Sequence, residues 1–244
     1  MKVGTDSVLL GSWVTCEKAN TILDVGSGTG LISLMLAQRN LNSNIIGIEI
    51  DQISSKEAQL NIRLSNWKAR IEIINIPLQK FRTNKKFDLI TMFHALEHIP
   101  NPIKTFKLLY ELLNNEGSLF IEVPNIETKD ASPHNIYFKA HIHYFSSSTL
   151  TSAASKYFEK IDEDIGSNLR ILFKRKDTVE EDLTYPSLEQ INHSALRLQE
   201  KGWFEYLING RGYKKLPLRI KQLYTESRLN YDSSIEVLDD ILRS

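Results

Sequence analysis

Three groups of residues in this chain of 244 residues have the types and spacing that chemistry requires. The first is Asp24-Val25-Gly26-Ser27-Gly28-Thr29-Gly30, followed nineteen residues after Gly30 by Glu49, with Asp51 two residues further on. Glycines at this spacing let a backbone turn sharply and let a ligand lie against the main chain. A carboxylate at the end of the next strand can accept hydrogen bonds from both hydroxyls of a ribose. The second group is His94, Glu97 and His98, an HxxEH pattern. If the segment is helical, spacings of three and four put all three side chains on one face. A histidine titrates near neutral pH and suits removal of a proton from a hydroxyl nucleophile, but it can equally cap a helix or pack. HxxEH also matches a zinc-protease pattern; with no third ligand signal beside it, no metal site is assigned. The third group is His141 and His143 in HIHYF, which alternate and therefore face one side of an extended segment. They are assigned to substrate binding, with a packing role equally open.

The elements around these groups predict how they are positioned. Thr21–Val25, Asn44–Ile50, Ile71–Ile76, Phe87–Met92 and Ser118–Val123 read as strands. Leu31–Arg39, Ser54–Leu64 and Ile103–Leu113 read as helices, the last ended by a turn at Asn114–Gly117. Alternation of apolar strands with helices implies a doubly wound, mostly parallel α/β sheet covered on both faces. Glu159–Asp164 and Leu169–Arg175 are separated by a short turn containing Gly166 and predict a closing antiparallel pair. Beyond Lys176 the strand signals stop, so residues 1–176 are read as the main domain and 177–244 as a helical C-terminal extension. Trp203, Phe204 and Tyr206 are expected to pack that extension onto the domain. The cluster Arg211, Lys214, Lys215, Arg219 and Lys221, around Tyr213, reads as a solvated face or a phosphate contact. His193 reads as a surface histidine, and His134 and Tyr137 are given no role.

Composition narrows the classes. Thirty basic residues balance thirty acidic ones, which argues against a protein that holds nucleic acid by bulk charge while leaving room for a local basic patch. The single cysteine, Cys16, excludes an intramolecular disulfide and a multi-cysteine metal site. The first residues lack the pattern of an export signal, and no apolar run reaches the roughly 20 residues of a membrane span. The expectation is a soluble cytoplasmic protein without a membrane partner.

The loop decides among nucleotide-binding classes. Dinucleotide oxidoreductases use GxGxxG, whereas this chain has GxGxG preceded by an acid. DVGSGTG resembles the first motif of the class I S-adenosylmethionine-dependent methyltransferases. That resemblance implies a Rossmann-like fold and S-adenosylmethionine as cofactor, bound by Asp24, Gly26, Gly28, Gly30 and Glu49. Residues 1–82, from MKVGTDSVLLGSWV through ILDVGSGTGLISLMLAQR to WKARIEIINIPLQKF, resemble the bacterial tRNA(Val) adenine-N6 methyltransferases. From Phe87, FDLITMFHALEHIPNPIKTFKLLYELLNNEGSLFIEVPN and YFKAHIHYFSSSTL resemble the ubiquinone-type O-methyltransferases and the glycan-associated methyltransferases. The adenine-N6 enzymes carry Asn/Asp-Pro-Pro-Tyr after the fourth strand, where this chain has Phe93, His94, Ala95 and Leu96. Similar O-methyltransferases carry an acid-rich version of the HxxEH segment that binds a divalent cation; Glu97 and His98 match it and His94 replaces an acid. The acid expected after strand three, for the adenine amine, is replaced by Pro77. The resemblance therefore implies methyl transfer to a small-molecule or glycan-type acceptor at oxygen, with His98, His94 and Glu97 as catalytic candidates. Methylation of tRNA adenine at N6, and S-adenosylmethionine binding without catalysis, are the alternatives.

Overall fold

Apolar, β-branched runs bounded by turn residues build the sheet. A computed structural model describes residues 16–129, 140–200 and 202–208, with three isolated positions beyond (213, 217 and 220). The strands are β1 (Thr21–Val25), β2 (Asn44–Glu49), β3 (Ile71–Asn75), β4 (Phe87–Phe93), β5 (Leu113–Pro124), β6 (Phe158–Ile165) and β7 (Asn168–Arg175). They form one seven-stranded sheet in the order β3-β2-β1-β4-β5-β7-β6. β3 through β5 pair in parallel, while β7 runs antiparallel to both β5 and β6. The predicted architecture is therefore present, including the closing antiparallel pair.

Alternation along each strand feeds two core layers. In β1, Ile22 joins Ile32 and Leu36 of helix α1 (Leu31–Arg39) and Ala58 and Ile62 of α2 (Gln52–Leu64) on one face. Leu23 faces the opposite layer, which holds Phe106 and Leu109 of α3 (Pro102–Leu112) and Leu150 of α4 (Ser147–Ala154). Local signals start the helices. Asp51 caps α2 by accepting from the Ser54 amide at 2.7 Å, and Asn101 caps α3 by accepting from Lys104 N at 2.9 Å, with Pro102 first in the helix. The β3–β4 connection, residues 76–86, contains only a 3₁₀ turn at Leu78–Lys80.

Three expectations need correction. The Asn114–Gly117 turn lies inside β5: pairing advances from Phe87↔Leu113 to Leu89↔Ser118, so the extra residues are absorbed in an irregularity of the ladder rather than in a turn before it. The HxxEH segment is not an α-helix. His94 sits at φ 49° and a single 3₁₀ turn covers Leu96–His98, so the three side chains do not share a helical face. In the extension, α5 (Leu188–Glu200) and α6 (Trp203–Ile208) form as predicted, but Trp203 and Phe204 remain 53% and 79% exposed instead of packing into the domain. His193 is on the surface, near Glu127 at 3.7 Å. The segment 1–15, His134, Tyr137 and the cluster residues Arg211, Lys214, Lys215, Arg219 and Lys221 lie outside the described residues.

Candidate active site

The loop leaving β1 is built from the backbone. Gly26 and Ser27 N–H groups both donate to Ile48 O, at 2.9 and 3.1 Å, tying the loop to β2. Gly26, Gly28 and Gly30 have φ of 76°, 54° and 82°, a left-handed region that costs other residues about a kcal/mol or more. Gly26 is doubly constrained, because a Cβ there would lie 2.8 Å from the Ala95 Cβ, on the segment that follows β4.

The carboxylate of Asp24, expected at the cofactor, has a different duty. It is buried, accepts from Ser33 Oγ of α1 at 2.6 Å and from Thr91 Oγ1 of β4 at 3.0 Å, and so ties three elements together beneath the loop. Burial raises its pKa to about 6 against the lowering effect of these hydrogen bonds. Asp24 positions the loop rather than presenting its carboxylate to a ligand.

Glu49 ends β2 and does face the loop. Its Oε2 accepts from Gly28 N at 2.8 Å and its Oε1 from Asp51 N at 2.8 Å. Each carboxylate oxygen keeps a further lone pair for a ribose hydroxyl. A cleft of about 160 Å³ opens beside the loop, bounded by Gly26, Ile50, Ile76, Pro77, Ala95 and His98. These features fit S-adenosylmethionine: a turn of left-handed glycines with open space beside Gly28, an acid aimed at the loop, and an apolar slot for a purine. Pro77 lines that slot without a charge.

Where the HxxEH segment leaves β4, the side chains diverge. His94 is fixed between two buried carboxylates. Its Nε2 lies 3.0 Å from Glu122 Oε1 and its Nδ1 3.2 Å from Glu97 Oε1. Partial burial opposes the charged ring, but Glu122 and Glu97 outweigh it and raise its pKa to about 9. His94 is thus an imidazolium at neutral pH. With both nitrogens donating it cannot accept a proton, which removes it as the expected general base. His98 turns the other way: its Nδ1 lies 2.9 Å from Ala140 O. Donation there leaves the other ring nitrogen with its lone pair.

The segment after residue 139 closes over this turn. Ile142 and His143 N–H groups donate to Glu97 O at 2.9 and 3.1 Å. The His141 ring stands edge-on to His98, centroids 5.0 Å apart, with its Nε2 4.0 Å from Glu97 Oε1. Burial lowers the His141 pKa. His143 instead reaches Pro100 O with its Nε2 at 3.2 Å. Both histidines therefore turn toward residues 97–100, as alternation predicts, although only His141 joins the cluster. One ligand atom from each of Glu97, His98 and His141 lies within 4.8 Å of the others, and Glu97 Oε2 is buried without a hydrogen-bond partner. These three could hold a cation.

Sequence reasoning missed Glu122 and Arg170. Glu122, fully buried on β5, also accepts from Asn168 Nδ2 at 2.8 Å and from Arg170 Nε at 2.9 Å. Arg170 in turn pairs with Asp164 at 2.5 Å. The available signal was an acid inside the apolar run FIEVP, since an interior strand buries a charge only when partners await it.

Residues 8–157, more than half of the chain, match a family model described as a methyltransferase domain. A tRNA1(Val) (adenine(37)-N6)-methyltransferase of Bacteroides thetaiotaomicron is 48% identical over 91 residues, which cover 37% of this chain and 38% of that protein. The enzyme of the same name from Trichodesmium erythraeum is 49% identical over 109 residues, 43% of this chain and 46% of its own length. The chain thus spans less than half the length of these relatives. Among solved structures, an O-methyltransferase family protein from Burkholderia thailandensis superposes with a TM-score of 0.58 at 14% identity, covering 72% of this chain and 56% of that one. N-methyltransferase NodS from Bradyrhizobium japonicum, in complex with S-adenosyl-L-homocysteine, has a TM-score of 0.51 at 16% identity, covering 64% and 78%. At these identities the two structures speak for the fold. No helix among the described residues is long and apolar enough to cross a membrane.

Proposed function

The chain belongs to the methyltransferase-domain family, and from that premise we propose that it transfers the methyl group of S-adenosylmethionine to a hydroxyl oxygen of a small-molecule or glycan-type acceptor. The glycine loop, Glu49 and the slot along Ile50, Ile76 and Pro77 bind the cofactor. Bound there, S-adenosylmethionine would supply an electrophilic methyl group, and the glycine loop and Glu49 would hold it in line with the acceptor oxygen. The chain's own contribution is alignment and removal of one proton.

The observation that carries this reading is the placement of His98. It borders the same cleft as Gly26, and its Nδ1 contact with Ala140 O fixes a tautomer whose other nitrogen takes the acceptor's proton. His94 and Glu97 act as positioning residues, and His141 and His143 anchor the segment over the acceptor. The positions that correspond to Asn/Asp-Pro-Pro-Tyr argue against adenine as acceptor. Leu96 is fully buried and offers no ring to stack on a base, and His94 is already engaged with two carboxylates. A second reading rests on the convergence of Glu97, His98 and His141. A divalent cation held there would polarise the acceptor oxygen, and His98 would be a ligand instead of a base. Dialysis against a chelator, followed by metal replacement, separates the two: metal-dependent activity favours the cation and unaffected activity favours the base.

Transfer of radioactive methyl from S-adenosylmethionine into two pools, total tRNA and a small-molecule plus glycan extract, tests the acceptor class. The expected result is label in the extract. Label in the tRNA would assign the chain to the adenine-N6 activity named for its relatives, and label in neither, with cofactor bound, would support a non-catalytic binder.

A further inference from the structure

A second concavity, about 860 Å³, lies between residues 79–86 and α3, where the β3–β4 connection supplies no covering helix. It shares Ile50, Gln79, Ile99 and Pro100 with the cofactor cleft, so the two form one trench. Its floor is apolar, with Phe81 and Leu108, while its rim carries Arg82, Lys86 and Lys104 against a single acid, Glu111. That imbalance stands out in a chain with no net charge. From Ile73 to Phe87 the sequence has Lys80, Arg82, Lys85 and Lys86 and no acid.

The way the cations are held matters more than their number. Arg82 Nη1 donates to the backbone carbonyls of Gln79 and Phe81, both at 2.9 Å. Lys86 Nζ donates to the backbone carbonyl of Glu111. Carbonyls orient these groups without neutralising them, so the rim keeps a net positive field that an anion can satisfy. Glu111 is itself near Lys107 at 4.0 Å. Lys104 extends from the first turn of α3, where the positive end of the helix dipole adds to the same field.

We propose that this groove binds a phosphate-bearing ligand of nucleotide size, with its phosphates on Arg82, Lys86 and Lys104 and its base on the apolar floor. A concave pocket of this volume falls in the range of small-molecule sites. A nucleic acid, by contrast, calls for an extended basic surface. The groove adjoins the cofactor cleft, and its assignment rests on that cleft holding S-adenosylmethionine but not on His98 acting as a base.

Equilibrium dialysis of the full chain with radiolabelled uridine diphosphate, in the presence of saturating S-adenosylhomocysteine, tests the assignment. Binding should persist under saturation, and the double variant Arg82→Gln/Lys104→Gln should weaken it at least tenfold. S-adenosylhomocysteine affinity should stay within twofold, which also shows that the variant is folded. Charge reversal at Lys56, on the exposed side of α2, should change neither. No binding by the wild-type chain would overturn the proposal. So would complete displacement by S-adenosylhomocysteine, which would place the probe in the cofactor cleft. Tighter binding of a single-stranded oligonucleotide than of uridine diphosphate would overturn it in favour of nucleic acid.

Discussion

The glycine loop and the histidine cluster lie at the carboxyl ends of neighbouring strands, β1 and β4, but they are assembled by different means. The loop is a local object: Asp24 to Gly30 and the end of β2 define it, mostly through main-chain bonds. The cluster is non-local. Glu97, His98, His141, Glu122 and Arg170 come from four separate stretches of chain and meet through side chains. A loop held by its backbone tolerates side-chain change around it, whereas a buried ionic cluster fails when one member is removed.

The largest effect that would expose this difference is expected at Glu122. Glu122→Ala leaves His94 and Arg170 without their shared buried carboxylate and should lower stability by about 3–5 kcal/mol, measured by chemical denaturation. Glu122→Gln, which keeps an acceptor, should recover part of that loss. Equal stability of both variants with the wild type would mean that the cluster is not held by charge.

Asp24 gives a pH test on the loop side. Its folded-state pKa, about 6, lies above the unfolded value of 3.8, so the folded chain binds the proton more tightly between those values. Stability should therefore fall as pH rises from about 4 to about 6, by up to about 3 kcal/mol. Asp24→Asn should flatten that segment of the curve; a variant that retains the full slope would assign it to another group.

Within the loop, Gly26→Ala forces both a left-handed backbone and a contact with Ala95. It should cost about 2 kcal/mol of stability and weaken S-adenosylmethionine binding about a hundredfold. Calorimetric titration and a thermal scan of one sample read both. At the far end of the scale, Phe204→Ala in α6 removes a side chain that is 79% exposed and should change stability by less than about 0.5 kcal/mol. A loss of several times that would show that the extension does pack against something.

The same contrast explains what the sequence could disclose. The mostly parallel sheet, its closing antiparallel pair and the glycine loop follow from apolar runs and spacings a few residues long, and the structure has all three. The helical face drawn through His94, Glu97 and His98 does not exist, because His94 takes a left-handed backbone that no periodicity signals. Asp51, two residues beyond Glu49, caps α2. Glu122 and Arg170 gain meaning only when β5 pairs antiparallel with β7 in the register Glu122↔Arg170. Register between distant strands is set by tertiary packing and leaves no local mark. The exposure of Trp203 and Phe204 is another tertiary outcome, since α6 has the composition of a packing helix and buries none of its residues.

Separation of cofactor grip from acceptor chemistry is the central claim, and calorimetric titration of S-adenosylmethionine into the wild type, Glu49→Ala and His98→Ala tests it most directly. Glu49→Ala should bind at least tenfold more weakly than the wild type, while His98→Ala should bind within twofold of it and lose methyl transfer. Unchanged binding by Glu49→Ala, or equal weakening by His98→Ala, would contradict the division of the site into a cofactor half held by the glycine loop and Glu49 and an acceptor half built around His98.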